Sequence, residues 1–158
     1  MITLNQIEKI QSKWAKGIVT IGSLIGDKNA VETATDLMIN ELYAFDLGDV
    51  LFKPTKAAEQ QFRLNFEGAK SYFIGGNSKY DEDMGFALNP WSLVEFDNVS
   101  VVLNESNASA MGNYYFTDLN GKKVKVEYSF GYILTEKGNL KINLHHSSFP
   151  YNDDEHFD

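Results

Sequence analysis

The chain has 158 residues, of which 43% are hydrophobic and 13% aromatic, and its formal net charge at pH 7 is -8. This length suits one compact domain, and the excess of acidic residues disfavours binding to nucleic acid or to an anionic membrane. The absence of cysteine excludes disulfides, thiolate zinc sites and cysteine nucleophiles.

No apolar run approaches the roughly 20 residues that a membrane-spanning helix needs, so we expect a cytoplasmic protein that does not enter a membrane. The segment from Gly17 to Gly26 has some features of a signal peptide, but its apolar positions continue a helical period. A periplasmic or secreted location stays open if a native signal peptide is missing from this sequence.

The first half of the chain has the periodicity of three helices. Thr3 and Asp27 are suitable N-caps for the first two, which should end near Gly26 and Asp46. Apolar side chains also recur at nearly helical intervals over 56–74, and this spacing predicts the third helix.

From Phe86 onward the period changes to that of strands. Gly121 and Gly138 suit three-residue hairpin turns, with glycine in the left-handed conformation. Gly112 and Gly131 are natural places for the sheet to bend, and a bulge is expected near Asp97 and Asn98. The predicted strands are Trp91 to Leu103, Ser109 to Thr117, Lys122 to Leu134 and Leu140 to Phe149.

The two turns fix a strand register. It pairs Gly112 with Tyr128 and Tyr128 with His146, and it puts every even-numbered residue of the last three strands on one apolar face. A sheet this long must curve over the helices. We therefore predict an α+β fold in which three N-terminal helices pack on a strongly curved antiparallel sheet, forming a cone with a pocket. One domain should span 1–151, followed by an acidic tail over 152–158.

Several blocks of the sequence carry a family resemblance. They are Val50 to Lys56, Tyr72 to Gly76, Glu82 to Ala87, Pro90-Trp91, Ala110 to Tyr114 and the closing Leu144-His145-His146-Ser147-Ser148. Together they resemble the nuclear transport factor 2-like (SnoaL-like) superfamily, and within it bacterial stand-alone proteins similar to the association domain of calcium/calmodulin-dependent protein kinase II. The resemblance implies a cystatin-like cone, a ligand pocket and a homodimer or larger homo-oligomer.

His146 is the first catalytic candidate, because the register makes it the only ionisable side chain on the apolar face, next to Tyr128. A neutral imidazole beside a phenol could act as a general base, with Asp46 as an acidic partner. The alternative is a core histidine that is bonded to a tyrosine or to the backbone.

The candidate ligand-binding residues are Arg63 and the aromatic residues Tyr43, Tyr114, Tyr132 and Trp91. Arg63 could anchor a carboxylate at the mouth of the cavity, or pair on the helix surface with Glu59 or Glu67. For Tyr43, Trp14 and Trp91, a place in the core is favoured over stacking on a ligand.

The odd-numbered face of the sheet mixes apolar and polar side chains, which is typical of a self-association surface. The predicted interface residues are Met111, Asn113, Tyr115, Glu127, Ser129, His145 and Phe149. Adjacent strand residues face opposite ways, so His145 and His146 cannot share a metal ion, and we expect neither a metal nor a cofactor.

These observations favour a domain of unknown physiological role that binds a small molecule or associates with itself, rather than an enzyme. The alternative is a cofactor-independent isomerase, dehydratase or hydrolase that uses His146 in the cone pocket. The sequence does not identify a ligand or substrate.

Overall fold

The structure, a computed structural model, describes residues 1–152 and places helices ahead of a five-stranded sheet, which confirms the predicted α+β fold. The predicted tail beyond Asn152 lies outside the described residues. The helices are α1 (Leu4–Ser23), α2 (Lys28–Leu42) and α3 (Phe66–Ile74), with a short 3-10 helix over Phe86–Leu88. The strands are β1 (Leu51–Lys53), β2 (Trp91–Leu103), β3 (Asn107–Asp118), β4 (Lys123–Leu134) and β5 (Leu140–Ser148).

Both predicted N-caps are confirmed. The Thr3 hydroxyl accepts from the Gln6 amide, and the Gln6 side chain accepts in return from the Thr3 amide, so two amide groups at the start of α1 are satisfied. Asp27 accepts from the Ala30 amide at the start of α2. The apolar face of α1 then packs against the sheet. Its buried apolar side chains include Ile7, Ile10, Trp14, Ile18 and Ile21.

The prediction that α3 spans 56–74 is wrong, because this helix begins only at Phe66. The amides of residues 58–60 donate instead to the carboxylate of Glu82, at 2.6 to 3.1 Å. A distant carboxylate thus supplies the acceptors that helical carbonyl groups would otherwise provide, and this tertiary contact overrides the local apolar spacing.

The strand order is β1-β5-β4-β3-β2, and neighbours are antiparallel except for the parallel pair of β1 and β5. The predicted register between β3 and β4 is confirmed, with Gly112 opposite Tyr128. Gly121 and Gly138 have φ values of 83° and 86°, as the predicted turns require. The bulge in β2 lies between Asn98 and Ser100.

The predicted register between β4 and β5 is correct only up to Tyr132, which lies opposite Ile142. The next pair is Gly131 with Leu144, so Asn143 is an extra residue on β5 and forms a bulge. Beyond this bulge, each residue of β5 faces the side of the sheet opposite to the predicted one. The predicted pairing of Tyr128 with His146 is therefore wrong.

Gly131 is what makes room for this bulge. A Cβ atom built at Gly131 would lie 2.9 Å from the Cβ of Leu144 and 3.0 Å from Oδ1 of Asn143. As a result, His145 and Ser147 enter the core, whereas Leu144 and His146 face outward. In the described part of the chain, residues 1–152, no helix has the length and apolar character needed to cross a membrane.

Candidate active site

A small cavity lies between the inner face of the sheet and the helices. Its volume is about 10 Å³, which is close to the space that the centre of one water molecule needs. Aromatic rings form most of its wall and its accessible surface is apolar, while the polar side chains in the lining are hydrogen-bonded to one another. The lining residues are Trp14, Phe52, Pro54, Thr55, Tyr72, Phe73, Phe86, Tyr114, His145 and Ser147.

His145 is the ionisable group at the centre of this site, and only 1% of its surface is exposed. Its ring lies between Phe52 and Phe130, with centroid distances of 4.7 and 4.0 Å. Burial lowers the pKa of His145 well below its ordinary value of 6.5, and nearby His146 lowers it further. His145 is therefore a neutral imidazole at pH 7.

The hydrogen bonds around His145 indicate which nitrogen carries its proton. Nε1 of Trp14 donates to the Tyr43 hydroxyl at 3.0 Å, and this hydroxyl lies 2.8 Å from Nδ1 of His145. Indole can only donate, so the single hydrogen of Tyr43 is free to point at Nδ1. We infer from this that the hydrogen of His145 is on Nε2.

From Nε2 of His145 the bonds continue through three hydroxyl groups, those of Tyr114, Ser147 and Thr55, which we call the hydroxyl chain. Tyr114 lies 3.1 Å from Nε2 and 2.5 Å from Oγ of Ser147, which lies 2.6 Å from Oγ1 of Thr55. If each group donates to the next, Thr55 has one hydrogen left, which it can donate to Tyr72 or to a ligand in the cavity. Such a donor can bind an oxygen of a small anion.

Tyr72 provides a further hydroxyl at the cavity wall. It accepts from the Lys56 amide at 3.3 Å, and this bond and one with Thr55 partly offset the rise in pKa that burial causes. Burial also raises the pKa of Tyr43 and of Tyr114. The three phenols therefore keep their protons at neutral pH and remain hydrogen-bond donors.

The polar groups of the site do not resemble the three-ligand set of a catalytic zinc centre. The cavity offers one imidazole together with hydroxyl groups. Over residues 1–152, no three histidine, aspartate or glutamate side chains are grouped so that they could hold a metal ion.

The three predicted catalytic residues are not brought together. His146 is exposed on the outer face of β5, opposite Ser129, because the bulge exchanges the two faces. Tyr128 is buried, but its hydroxyl donates to Asn98 at 2.6 Å. Asp46 is exposed and pairs with Lys141 at 3.0 Å, so the expected contact with His146 is absent.

Two of the five predicted ligand-binding residues, Tyr43 and Tyr114, lie at the candidate site through their bonds to His145. Tyr132 and Trp91 are buried elsewhere: the Tyr132 hydroxyl accepts from Gln11, and Trp91 donates to the Phe86 carbonyl group.

Arg63 is neither on a helix nor at the cavity mouth, and the expected surface pair with Glu59 or Glu67 is wrong. Its guanidinium group is buried and makes two 2.7 Å bonds to the carboxylate of Asp83. Six of the seven predicted interface residues, from Met111 to Phe149, lie at least partly exposed on the outer side, whereas His145 is buried.

Sequence reasoning missed Thr55, Tyr72 and Ser147 and assigned His145 to the wrong face. One signal could have found part of the site, because His145 and Ser147 are two residues apart and two such residues share a strand face. Thr55 and Tyr72 reach the cavity only through the tertiary fold.

Comparison with solved structures gives the fold first. A protein from Xanthomonas campestris, assigned to the calcium/calmodulin-dependent protein kinase II association domains, aligns with a TM-score of 0.61 and 22% identity over 95% of this chain and 89% of its own. The iota-carbonic anhydrase of a cyanobacterium, crystallised in complex with bicarbonate, aligns with a TM-score of 0.93 and 33% identity over 96% of this chain and 94% of its own. The nuclear transport factor 2-like fold is thus confirmed.

Sequence comparison decides the family. The profile of the family Metal-independent carbonic anhydrase matches residues 5–149. A Metal-independent carbonic anhydrase from Nostoc sp. (strain PCC 7120 / SAG 25.82 / UTEX 2576) is 34% identical over 153 residues, or 95% of this chain and 75% of that protein. These findings overturn the expectation of a non-enzymatic module of unknown role, because the matched family is one of enzymes. The chain belongs to the metal-independent carbonic anhydrase family.

Proposed function

We propose that this protein is a carbonic anhydrase that interconverts carbon dioxide and bicarbonate without a bound metal ion. The observation that carries the proposal is the buried bonding from Tyr43 through His145 to the hydroxyl chain, ending at the cavity. Membership of the family and the fold shared with the bicarbonate-complexed cyanobacterial enzyme support the same reaction.

The cavity suits a very small substrate with little polarity. Its walls include the rings of Phe52, Phe73 and Phe86, against which carbon dioxide can pack without losing hydrogen bonds. Its volume of about 10 Å³ is close to the space of one water molecule, so side chains must move to admit carbon dioxide together with water, and a larger metabolite would need a larger rearrangement. Bicarbonate is polar, but the hydroxyl groups on one side can bind its oxygen atoms.

In the hydration direction, the oxygen of a water molecule forms a bond to the carbon of carbon dioxide. One C–O π bond breaks, and its electron pair moves to the oxygen that becomes the anion of bicarbonate. The hydroxyl of Tyr72, which lines the cavity and keeps its hydrogen at neutral pH, donates to this oxygen. Such a donor stabilises the charge that develops in the transition state.

The attacking water must lose a proton, and we assign its uptake to His145. A neutral imidazole accepts at one nitrogen and donates at the other, so this uptake uses the second tautomer: Nδ1 carries the hydrogen and donates to Tyr43, and the hydrogens of the hydroxyl chain point toward a free Nε2. In that direction the proton reaches Nε2 of His145. Because burial lowers the pKa of His145, the imidazolium is short-lived and its proton passes on to solvent.

The activity is tested by stopped-flow measurement of carbon dioxide hydration on protein treated with a strong chelator. We expect catalysis above the buffer rate that the chelator does not remove. Ser147→Ala breaks the hydroxyl chain and should lower kcat/KM by about 10²-fold, the low end for general acid-base catalysis. Ser148→Ala is the matched control, because the faces alternate along β5 and Ser148 lies outside the chain of bonds. Equal activity of the two variants, or restoration of chelated protein by zinc alone, would contradict the proposal.

We further propose that the protein forms a homodimer or larger homo-oligomer through the outer face of the sheet. Met111 and Phe149, which are 60% and 47% exposed, supply apolar surface there, and Asn113, Tyr115 and Glu127 supply polar surface. Native mass spectrometry should show an oligomer that Met111→Glu converts to a monomer. The control Leu119→Glu, at an exposed apolar residue in the β3–β4 turn, should leave the mass unchanged. A wild-type monomer would refute this assignment.

A further inference from the structure

The cavity is only about 10 Å³ in volume and its inner polar residues are buried, so a ligand can reach them only past a side chain that moves. His145, Ser147 and Tyr114 are each at most 1% exposed. We propose that the ring of Phe86 is the gate between this cavity and a neighbouring surface cleft, and that Lys56 guides anions into the cleft. The inference rests on the proposed function for its ligand, bicarbonate, but its geometry is independent of catalysis.

The cleft and the cavity share two walls. The cleft has a volume of about 240 Å³, and both Tyr72 and Phe86 line it as well as the cavity. Their rings stack with centroids 5.5 Å apart and planes inclined by 17°. This ring pair therefore forms the partition between the two spaces. The other residues that line the cleft are Lys56, Glu82, Asp83, Met84, Gly85, Leu88 and Asn89.

Of the two rings, that of Phe86 is the less constrained, although it also packs against Trp91 and Phe116, with centroids 5.6 and 5.1 Å away. Tyr72 is only 6% exposed, lies in the last turn of α3 and accepts a hydrogen bond from the Lys56 amide. Phe86 is half-buried and carries no polar atom on its side chain. Its backbone is held, because its carbonyl group accepts from Nε1 of Trp91 at 2.9 Å. Rotation of the Phe86 side chain alone would therefore open the partition.

The charges at the cleft favour an anion despite two carboxylates in its wall. Glu82 is occupied by the amides of residues 58–60, and Asp83 by the guanidinium group of Arg63. The ammonium group of Lys56 extends from an exposed residue at the same cleft. In a chain of net charge -8, a local cation matters because the protein as a whole repels bicarbonate.

The absence of cysteine from the chain allows a direct test. Ser147→Cys places a single thiol in the cavity, where its thiolate can displace iodide from iodoacetamide and form a C–S bond. If the gate is open in about 10% of molecules or fewer, adding Phe86→Ala should raise the labelling rate by at least about tenfold. Leu88→Ala is the matched control, because Leu88 lines the cleft but not the cavity.

A second pair of variants separates opening of the gate from general loss of stability. Phe86→Trp puts a larger ring at the gate and should slow labelling, whereas a merely destabilised protein would be labelled faster. Lys56→Gln should slow labelling by the anion iodoacetate but not by neutral iodoacetamide. If Phe86→Ala is labelled no faster than Leu88→Ala, the gate is refuted even if carbonic anhydrase activity is present. Gated labelling without that activity would refute only the proposed function.

Discussion

Replacing His145 with glutamine is expected to lower kcat/KM for carbon dioxide hydration by about 10²- to 10⁴-fold, the usual contribution of a general acid-base group. Glutamine keeps a polar side chain that can bond to Tyr43 and Tyr114, but an amide cannot take up a proton at neutral pH. The loss should appear mainly in kcat, because the hydroxyl groups and aromatic rings that line the cavity are retained. Stopped-flow hydration assays across substrate concentrations measure both constants.

His146→Gln is the matched control, since it makes the same chemical change on the outer face of the same strand. It should keep nearly all the activity. If the variant at position 146 lost activity and the variant at 145 did not, the assignment of His145 as proton acceptor would be wrong.

The same His145 variant should also alter how stability depends on pH. The unfolded chain binds a proton at His145 near pH 6.5, whereas the folded protein does so only at lower pH, because burial lowers the pKa. The unfolded state therefore holds more protons just below pH 6.5, and the free energy of unfolding falls as the pH falls through this value. Urea unfolding between pH 7.5 and 5 should show a smaller decrease in the free energy of unfolding for His145→Gln than for the wild type.

Replacing Arg63 with alanine is expected to lower the free energy of unfolding by about 3–5 kcal/mol, the usual result of removing one partner from a buried ion pair. The side chains of Arg63 and Asp83 are 0% and 2% exposed, so Asp83 would be left as a buried charge. Its remaining side-chain partner is the Ser71 hydroxyl, at 2.6 Å. A domain is usually stable by only about 5–15 kcal/mol, so this loss is severe.

Urea unfolding of purified variants measures this effect. Lys13→Ala is the comparison, because the pair of Lys13 with Glu41 is half-exposed and should contribute about 1 kcal/mol or less. Arg63→Ala combined with Asp83→Ala should cost less than the sum of the two single changes, because it removes both charges. An Arg63→Ala variant as stable as Lys13→Ala would show that the buried pair is not a main support of this region.

Features with a local cause could be predicted from the sequence. The caps at Thr3 and Asp27 follow from side chains next to the first turns, and the β3–β4 register follows from the turn at Gly121. Tyr114 could be assigned to the inner face because its position depends only on that register. These elements need no information from distant parts of the chain.

The errors all come from contacts between residues far apart in the sequence. The 56–65 segment lacks a helix because Glu82 binds its amides, and Arg63 is buried because Asp83 receives it. The bulge at Asn143 depends on space left by Gly131 on the neighbouring strand. The pattern along one strand does not contain that information, so it assigns the inward position to His146 instead of His145.

Beyond the bulge, the sequence of β5 tolerates a one-residue shift in its register against β4. Its sequence there is a pair of doublets, His145-His146 followed by Ser147-Ser148. If the strand slipped by one residue, His146 and Ser148 would replace His145 and Ser147 toward the cavity, at the same spacing. The duplication therefore makes the polar composition of the site tolerant of an alignment error that would ordinarily replace a reactive side chain with an inert one.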